Sequence, residues 1–301
     1  MTQIFLMGAI GFFLIRRKIL LSDGLGVLSK LVIEITLPIF IFCSIIRDFS
    51  FAQYPNWWML PVSSLLITGL GLLVGCIILG LDKGIIEKRQ FISLIAFQNS
   101  GYLPLPLVGA MFPEEQARVL FIYIFLFLLG FNLVIWSFGV WLIAEKKTRN
   151  FELGSLFSPP VIATLIGLLF IGLGINKWIP AEIYNPLKML GDCTLPLAIV
   201  VVGGNLGGIL LKKGENTRQM FYMILAKLII LPLAVWLILL RLPVSGPIKF
   251  LLLVQAAMPP ATNLSVICSH YKIRDQLITE GVFWGHLVSI ITIPIILALS
   301  I

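Results

Sequence analysis

The sequence predicts an all-α integral membrane protein of about ten transmembrane helices in two inverted five-helix repeats, with the fourth and ninth helices broken and crossing. Three observations predict it. Of 301 residues, 59% are hydrophobic and 12% charged, with a mean hydropathy of +1.03, a balance far from that of soluble globular domains. Apolar runs of about 20 residues, each long enough to cross a hydrocarbon core as a helix, recur between charged connections. The chain also repeats itself: Lys30–Pro38 reads KLVIEITLP and Lys188–Pro196 reads KMLGDCTLP, with Lys, acid, Thr, Leu and Pro in register.

The first five segments run roughly over Ile4–Ile15, Leu25–Ile46, Trp57–Leu81, Gln90–Phe112 and Ala117–Ala144. The pattern then begins again with Pro159–Ile175, Ile183–Leu211, Thr217–Leu240, Ile248–Ser269 and Gln276–Ile301. Segment 1 spans a bilayer only if it takes in Met1 or runs on to Leu21, and its flanks do not read as a cleaved signal peptide. The organisation is therefore a first repeat over 1–144, a cytoplasmic linker over 145–158 and a second repeat over 159–301. Five helices per half force the second half to enter the membrane inverted, a plan common among secondary transporters. The register extends beyond the opening match. Gln98 falls opposite Gln255 at a spacing of 157, Pro104 and Pro106 fall near Pro259 and Pro260, and Asn132 falls opposite Ser289.

Lys and Arg divide unevenly between alternate connections, fourteen against six. Short cytoplasmic loops hold the excess, which places both termini outside, in a cell-membrane protein. The net charge of +8 is then a matter of topology and lipid headgroups and calls for no nucleic acid.

Segments 4 and 9 carry the strongest local signals. AFQNSGYLPLP and VQAAMPPATN cannot continue as helix, because proline removes a backbone donor and clashes with the turn before it, while Gly101 adds freedom. Unwound backbone at membrane depth persists only where it is buried in protein or lines a wet cavity. If the two breaks cross near the midplane, half-helix N-termini with free amides meet half-helix C-termini with free carbonyls, a centre able to hold an anion and a cation.

These residues give the chain its resemblance to the auxin efflux carrier family of membrane permeases, within the bile acid:sodium symporter-like superfamily. Asn99-Ser100-Gly101-Tyr102-Leu103-Pro104-Leu105-Pro106 is similar to the family's N-x-G-x-L-P segment. Leu190-Gly191-Asp192-Cys193-Thr194-Leu195-Pro196, Gly203-Gly204-Asn205-Leu206, Ala257-Met258-Pro259-Pro260-Ala261-Thr262-Asn263 and Ser289–Pro294 extend the match over nearly the whole length. The resemblance implies crossed helices 4 and 9, a homodimer, and an elevator-like movement of a transport domain against a scaffold of helices 1, 2, 6 and 7. It also implies small organic acids as substrates. The chain departs from the family at Gln98, where glycine often precedes the asparagine, at His286, where a small hydroxyl residue is expected, and at Glu34, which has no matching family position.

Asn99 and Asn263, beside the breaks, offer donors and acceptors to a carboxylate, or cap the broken helices. Gln98 and Gln255 bind substrate or tie helices together, and Gly101, Pro104 and Pro259, at the breaks, complete the expected substrate-binding set. Pro38 and Pro196 free the carbonyls of Glu34 and Asp192, so each acid with Thr36 or Thr194 suits a cation or proton. The alternative is an intrahelical pair with Lys30 or Lys188, four residues away. Lys227, deep in segment 8, needs a partner: it stands in for a bound sodium ion, draws in an anion, or pairs with Asp192. His286 titrates during transport or simply packs. Cys43, Cys76, Cys193 and Cys268 lie apart, without metal-site or disulfide spacing, and no cofactor is expected beyond a coupling proton or sodium ion.

An intramembrane enzyme needs a nucleophile with its base, an HExxH or clustered aspartates, and the sequence has none of these. A channel is commonly a ring of short subunits, unlike this duplicated chain. The expected function is a secondary carrier of a small organic anion, such as a mono- or dicarboxylate, with a ligand-binding membrane sensor or an ion channel as alternatives.

Overall fold

A computed structural model describes residues 2–144, 157–208 and 217–299. Apart from Phe157 and Ser158, the linker placed at 145–158 lies outside them. In chain order the helices are α1 (Thr2–Arg16), α2 (Asp23–Asp48), α3 (Met59–Leu81), α4 (Lys88–Ala96), α5 (Pro104–Met111), α6 (Glu114–Ile143), α7 (Pro159–Leu173), α8 (Ala181–Gly208), α9 (Thr217–Arg241), α10 (Gly246–Ala257), α11 (Asn263–His270) and α12 (Gln276–Ala298). Among the described residues the β pairing is a single antiparallel bridge, Gln98 to Pro260. Six helices, α2, α3, α6, α8, α9 and α12, are long and apolar enough to cross a membrane. Each predicted segment contains helix, and segments 4 and 9 are divided into α4 and α5 and into α10 and α11.

Local chemistry sets the ends. Pro104, Pro159 and Pro247 stand in the first turns of α5, α7 and α10, where the missing N–H has no helical partner to lose. Gly174, at φ 72°, closes α7 in the left-handed conformation and donates its N–H to Ile171 O at 3.1 Å, a geometry that suits a residue without Cβ.

The two prolines of the repeat are accommodated within their helices in different ways. Pro38 does not break α2. The helix widens over Val32–Thr36 into a π turn, closed by Leu37 N–H to Val32 O, and continues to Asp48. A π turn lengthens the bond from i→i+4 to i→i+5, so the ladder absorbs a residue that cannot donate. The same device precedes Pro232 in α9, over Ala226–Ile230. At Pro196 the regular helix lapses only at Cys193.

The chain divides into two compact units. The first comprises Met1–Pro61, Gly101–Asn132 and Gly154–Ile209, and so gathers α1, α2, α5, most of α6, α7 and α8. Its helices meet backbone to backbone. A Cβ built on Gly203 of α8 would lie 2.9 Å from Gly8 Cα of α1, and one on Gly191 would lie 2.9 Å from Phe40 Cα of α2. Phe40 then stands edge-on to Phe121 and Phe125, at centroid distances of 5.3 and 5.6 Å. Small residues allow this approach where no difference in hydrophobicity drives helices together in lipid. Gly203→Ala should therefore destabilise the protein by about 1–3 kcal/mol, because backbone cannot yield as a side chain does. Thermal unfolding in detergent measures it, and an unchanged melting temperature would contradict the packing.

The second unit comprises Val62–Ser100, Leu133–Leu153 and Leu210–Ile301. It holds α3, α4, the end of α6 and α9 to α12. Phe91, Leu94, Ile95, Ala96 and Phe97 are wholly buried, so α4 is its core helix. Gly71 of α3 comes against α4 so closely that a Cβ would lie 2.8 Å from Ala96 Cα. Polar ties fasten the helix ends: Arg218 Nε lies 2.9 Å from Asp82 Oδ2, and Gln90 Nε2 donates to Arg274 O at 2.7 Å. On α3, Leu66, Leu73, Ile77 and Leu81 are exposed, a face suited to hydrocarbon rather than water.

Candidate functional site

The second unit brings the two broken segments together. α4 ends at Ala96 with Phe97 extended, and α10 ends at Ala257 with Met258 extended. The exposed backbone of each break pairs with the other: Asn99 N–H donates to Pro259 O at 2.8 Å, and Ala261 N–H donates to Phe97 O at 2.9 Å. These two bonds flank the Gln98 to Pro260 bridge. Gln98 and Pro260 are thus a facing pair that exchanges no hydrogen bond, the position in an antiparallel ladder where proline forfeits nothing. The sequence PP therefore ends α10 and still permits the crossing. Gly285 of α12 completes the fit, since a Cβ there would stand 2.5 Å from Pro260 Cδ.

Around this crossing lie amides with unmet capacity. Gln98 is fully buried, and neither its Oε1 nor its Nε2 has a hydrogen-bond partner. Gln255, also fully buried, donates Nε2 to Ser100 O at 3.1 Å and leaves Oε1 unmatched. Asn99, 3% exposed, places Nδ2 3.1 Å from His286 Nε2, and His286 Nδ1 lies 2.8 Å from Val282 O. Buried polar atoms are normally satisfied, and unmatched ones mark places that a ligand, ion or water completes. Lys227 belongs to this unit as well. It lies in the π turn of α9, is wholly buried, and its Nζ has no hydrogen-bond or ion-pair partner among the described residues. Its π turn packs against α4, α10 and α12, the helices that build the crossing. Asn263 is the first residue of α11 and half-buried; the cap position before it is Thr262, which makes no side-chain cap bond.

The remaining candidates lie in the first unit. Gly101 and Pro104 follow the crossing directly in sequence; Gly101 O accepts from Leu105 N at 3.2 Å, and Pro104 opens α5. Asp192 Oδ2 lies 2.5 Å from Lys188 Nζ, and Glu34 Oε1 lies 3.8 Å from Lys30 Nζ. Both acids thus make the intrahelical pair, with about half of each side chain exposed. Thr36 and Thr194, the hydroxyls expected beside them, are buried without partners. Asp192 also lines a 130 Å³ cavity with Arg47, Arg118, Tyr184 and Lys188.

The family model for membrane transport proteins matches residues 1–151 and 146–297. The chain belongs to this family, the auxin efflux carriers. It is 26% identical over 299 residues to an uncharacterized transporter of Methanocaldococcus jannaschii, covering 95% of this chain and 93% of that one. It is 24% identical over 295 residues to an uncharacterized transporter of Methanothermobacter thermautotrophicus, covering 95% and 92%. To Protein PIN-LIKES 1 of Arabidopsis thaliana it is 22% identical over 361 residues, covering 98% and 76%. As an auxin efflux carrier family member, it is a multi-pass membrane protein that moves a small substrate through the bilayer, and the family is one of transporters rather than enzymes.

Several residues that shape the crossing were given no site role by the sequence. Phe97 and Ser100 contribute through backbone oxygens, which no side-chain pattern reveals. Val282 fixes the His286 ring by its carbonyl, and Ser289 Oγ donates to His286 O at 2.7 Å. The spacings 282, 286 and 289 follow one helix face, but which neighbour that face meets is set by tertiary packing.

Proposed function

We propose that this auxin efflux carrier family member is a secondary active carrier of a small organic anion, such as a mono- or dicarboxylate. It works in the cell membrane by alternating access, elevator-like, around the crossing of the two broken segments. Ten spans in two inverted repeats over 1–144 and 159–301, joined by a cytoplasmic linker, with both termini outside and a homodimeric assembly, complete the reading. The observation that carries it is the pair of breaks at equivalent sequence positions, bonded backbone to backbone and surrounded by unmatched buried amides and a buried lysine. Asn99, Asn263, Gln98 and Gln255 supply donors to a carboxylate, Pro259 shapes the crossing, and Gly101 and Pro104 continue the first break. Lys227 supplies positive charge where an anion is to be held without water, and His286 or a sodium ion supplies coupling. Glu34 and Asp192, each paired with a lysine, neutralise their own helix faces on this reading.

A thermal-shift screen of the purified protein against organic acids, with and without sodium and across pH, tests the substrate class. A ligand at about 100 times its Kd stabilises the folded state by about 2.7 kcal/mol, so a binding acid should raise the melting temperature. Saturable uptake of that acid into proteoliposomes is the expected companion result. Single-channel currents would indicate a channel, and binding without flux a sensor; either overturns the carrier.

A further inference from the structure

We propose that His286 is the proton-binding site of the carrier, and that Asn99 passes its protonation to the anion by inverting its side-chain amide. This rests on reading the crossing as an anion site. His286 and Asn99 are 4% and 3% exposed, so the partners of the ring nitrogens are set within the protein. The carbonyl of Val282, 2.8 Å from Nδ1, only accepts, so Nδ1 carries the hydrogen. A neutral ring then has a bare lone pair on Nε2, and Asn99 Nδ2 donates to it at 3.1 Å. The Asn99 backbone is held by its N–H bond to Pro259 O, which leaves the amide group as the part free to turn. Among the described residues no donor meets Asn99 Oδ1. With His286 neutral, therefore, the uncommitted end of Asn99 is an acceptor, which disfavours a carboxylate.

A proton from solvent that adds to the Nε2 lone pair makes both ring nitrogens donors. Nε2–H cannot face Nδ2–H. A half-turn of the amide about Cβ–Cγ places Oδ1 against Nε2–H and releases the Nδ2 hydrogens as donors for an anion. No other bond is made or broken. The buried imidazolium in turn calls for a neighbouring negative charge, so proton and anion enter together. One proton taken up per anion makes the apparent anion affinity rise by up to about tenfold for each unit of falling pH.

The helices packed against α12 are α4, α9, α10 and α11. Their titratable groups include Lys88, Arg89, Arg218, Arg241 and His270, all exposed, with Lys249 and Tyr222 half-buried. Cys268 and Lys227 are buried, as is Glu280 on α12 itself, which accepts from Gln276. None of these is hydrogen-bonded to His286, whose ring nitrogens are taken up by Val282 and Asn99.

The test uses the full chain with 15N-labelled histidine and asparagine, titrated by NMR, together with calorimetry of acetate and succinate in two buffers of different ionisation enthalpy. The expected result is an Nδ1–H tautomer at high pH, Asn99 side-chain signals that move with the His286 titration, and one proton taken up per anion. In His286→Gln the Asn99 signals should be independent of pH, and anion binding should take up no proton. Asn99 signals unmoved across the His286 titration, or wild-type anion binding without proton uptake, would overturn the proposal and leave the anion reading intact. If neither anion binds while Asn99 follows His286, the proton site stands and the organic-anion reading falls.

Discussion

Lys227→Met is expected to raise the melting temperature while removing transport of the anion, or stripping it of its charge dependence. The two effects come from one cause. Lys227 is wholly buried and its ammonium has neither hydrogen bond nor ion pair among the described residues, so the fold bears the desolvation of a polar head that nothing repays. Methionine has a similar length and volume and fills the same space without a polar atom. Replacing buried ionic groups by apolar ones of similar size is often stabilising by about 1–4 kcal/mol. A group kept at such expense beside the helices of the crossing has a functional account: it supplies positive charge where an anion must be held without water. Thermal unfolding and proteoliposome flux, measured on the same preparation, check both halves. A variant that is less stable yet transports as before would reassign Lys227 as a structural residue.

Asn99→Ala is expected to abolish transport in a protein that still folds and inserts. The backbone bond from Asn99 N–H to Pro259 O survives the substitution, and so does the bond from Ala261 N–H to Phe97 O, so the crossing keeps its shape. What is lost is the amide that binds His286 and has an uncommitted oxygen. Truncation leaves a buried imidazole nitrogen unmatched, at about 1–3 kcal/mol, a loss in stability smaller than the loss in function. Flux equal to wild type would move the substrate site elsewhere. Asn263→Ala should lose transport in the same assay with less effect on stability, because Asn263 is half-buried and the cap position of its helix is Thr262.

Much of the fold was legible in the chain because the bilayer imposes a single strong rule. A backbone in hydrocarbon must satisfy itself, so long apolar runs become helices, and helix lies within each predicted segment. The breaks after Ala96 and Ala257 were legible too, since two prolines within three residues, or adjacent, cannot be absorbed. The proline at 38 lies inside a segment read as continuous, and α2 does run through it. An isolated proline inside a long, well-packed helix is accommodated by one wider turn, and composition does not distinguish a π turn from a break. The acids of the repeat were equally ambiguous: a lysine four residues earlier forms the pair seen at Lys188 and Asp192, and the sequence left that pair and a coupling site both open.

The sequence by itself determined that this is a helical membrane protein of the auxin efflux carrier family, and where its helices fail. Those properties follow from local chemistry: hydropathy over a span, and the missing donor of proline. Only the tertiary structure decided that the two breaks bond to one another, that Gln98 and Pro260 face without exchanging hydrogen bonds, and that Asn99 meets His286 across 187 positions of sequence. Contacts between distant segments depend on which helix faces are turned together, and that is fixed by packing, by glycines such as Gly285 and Gly71 that let backbones close, and not by any residue's own preference.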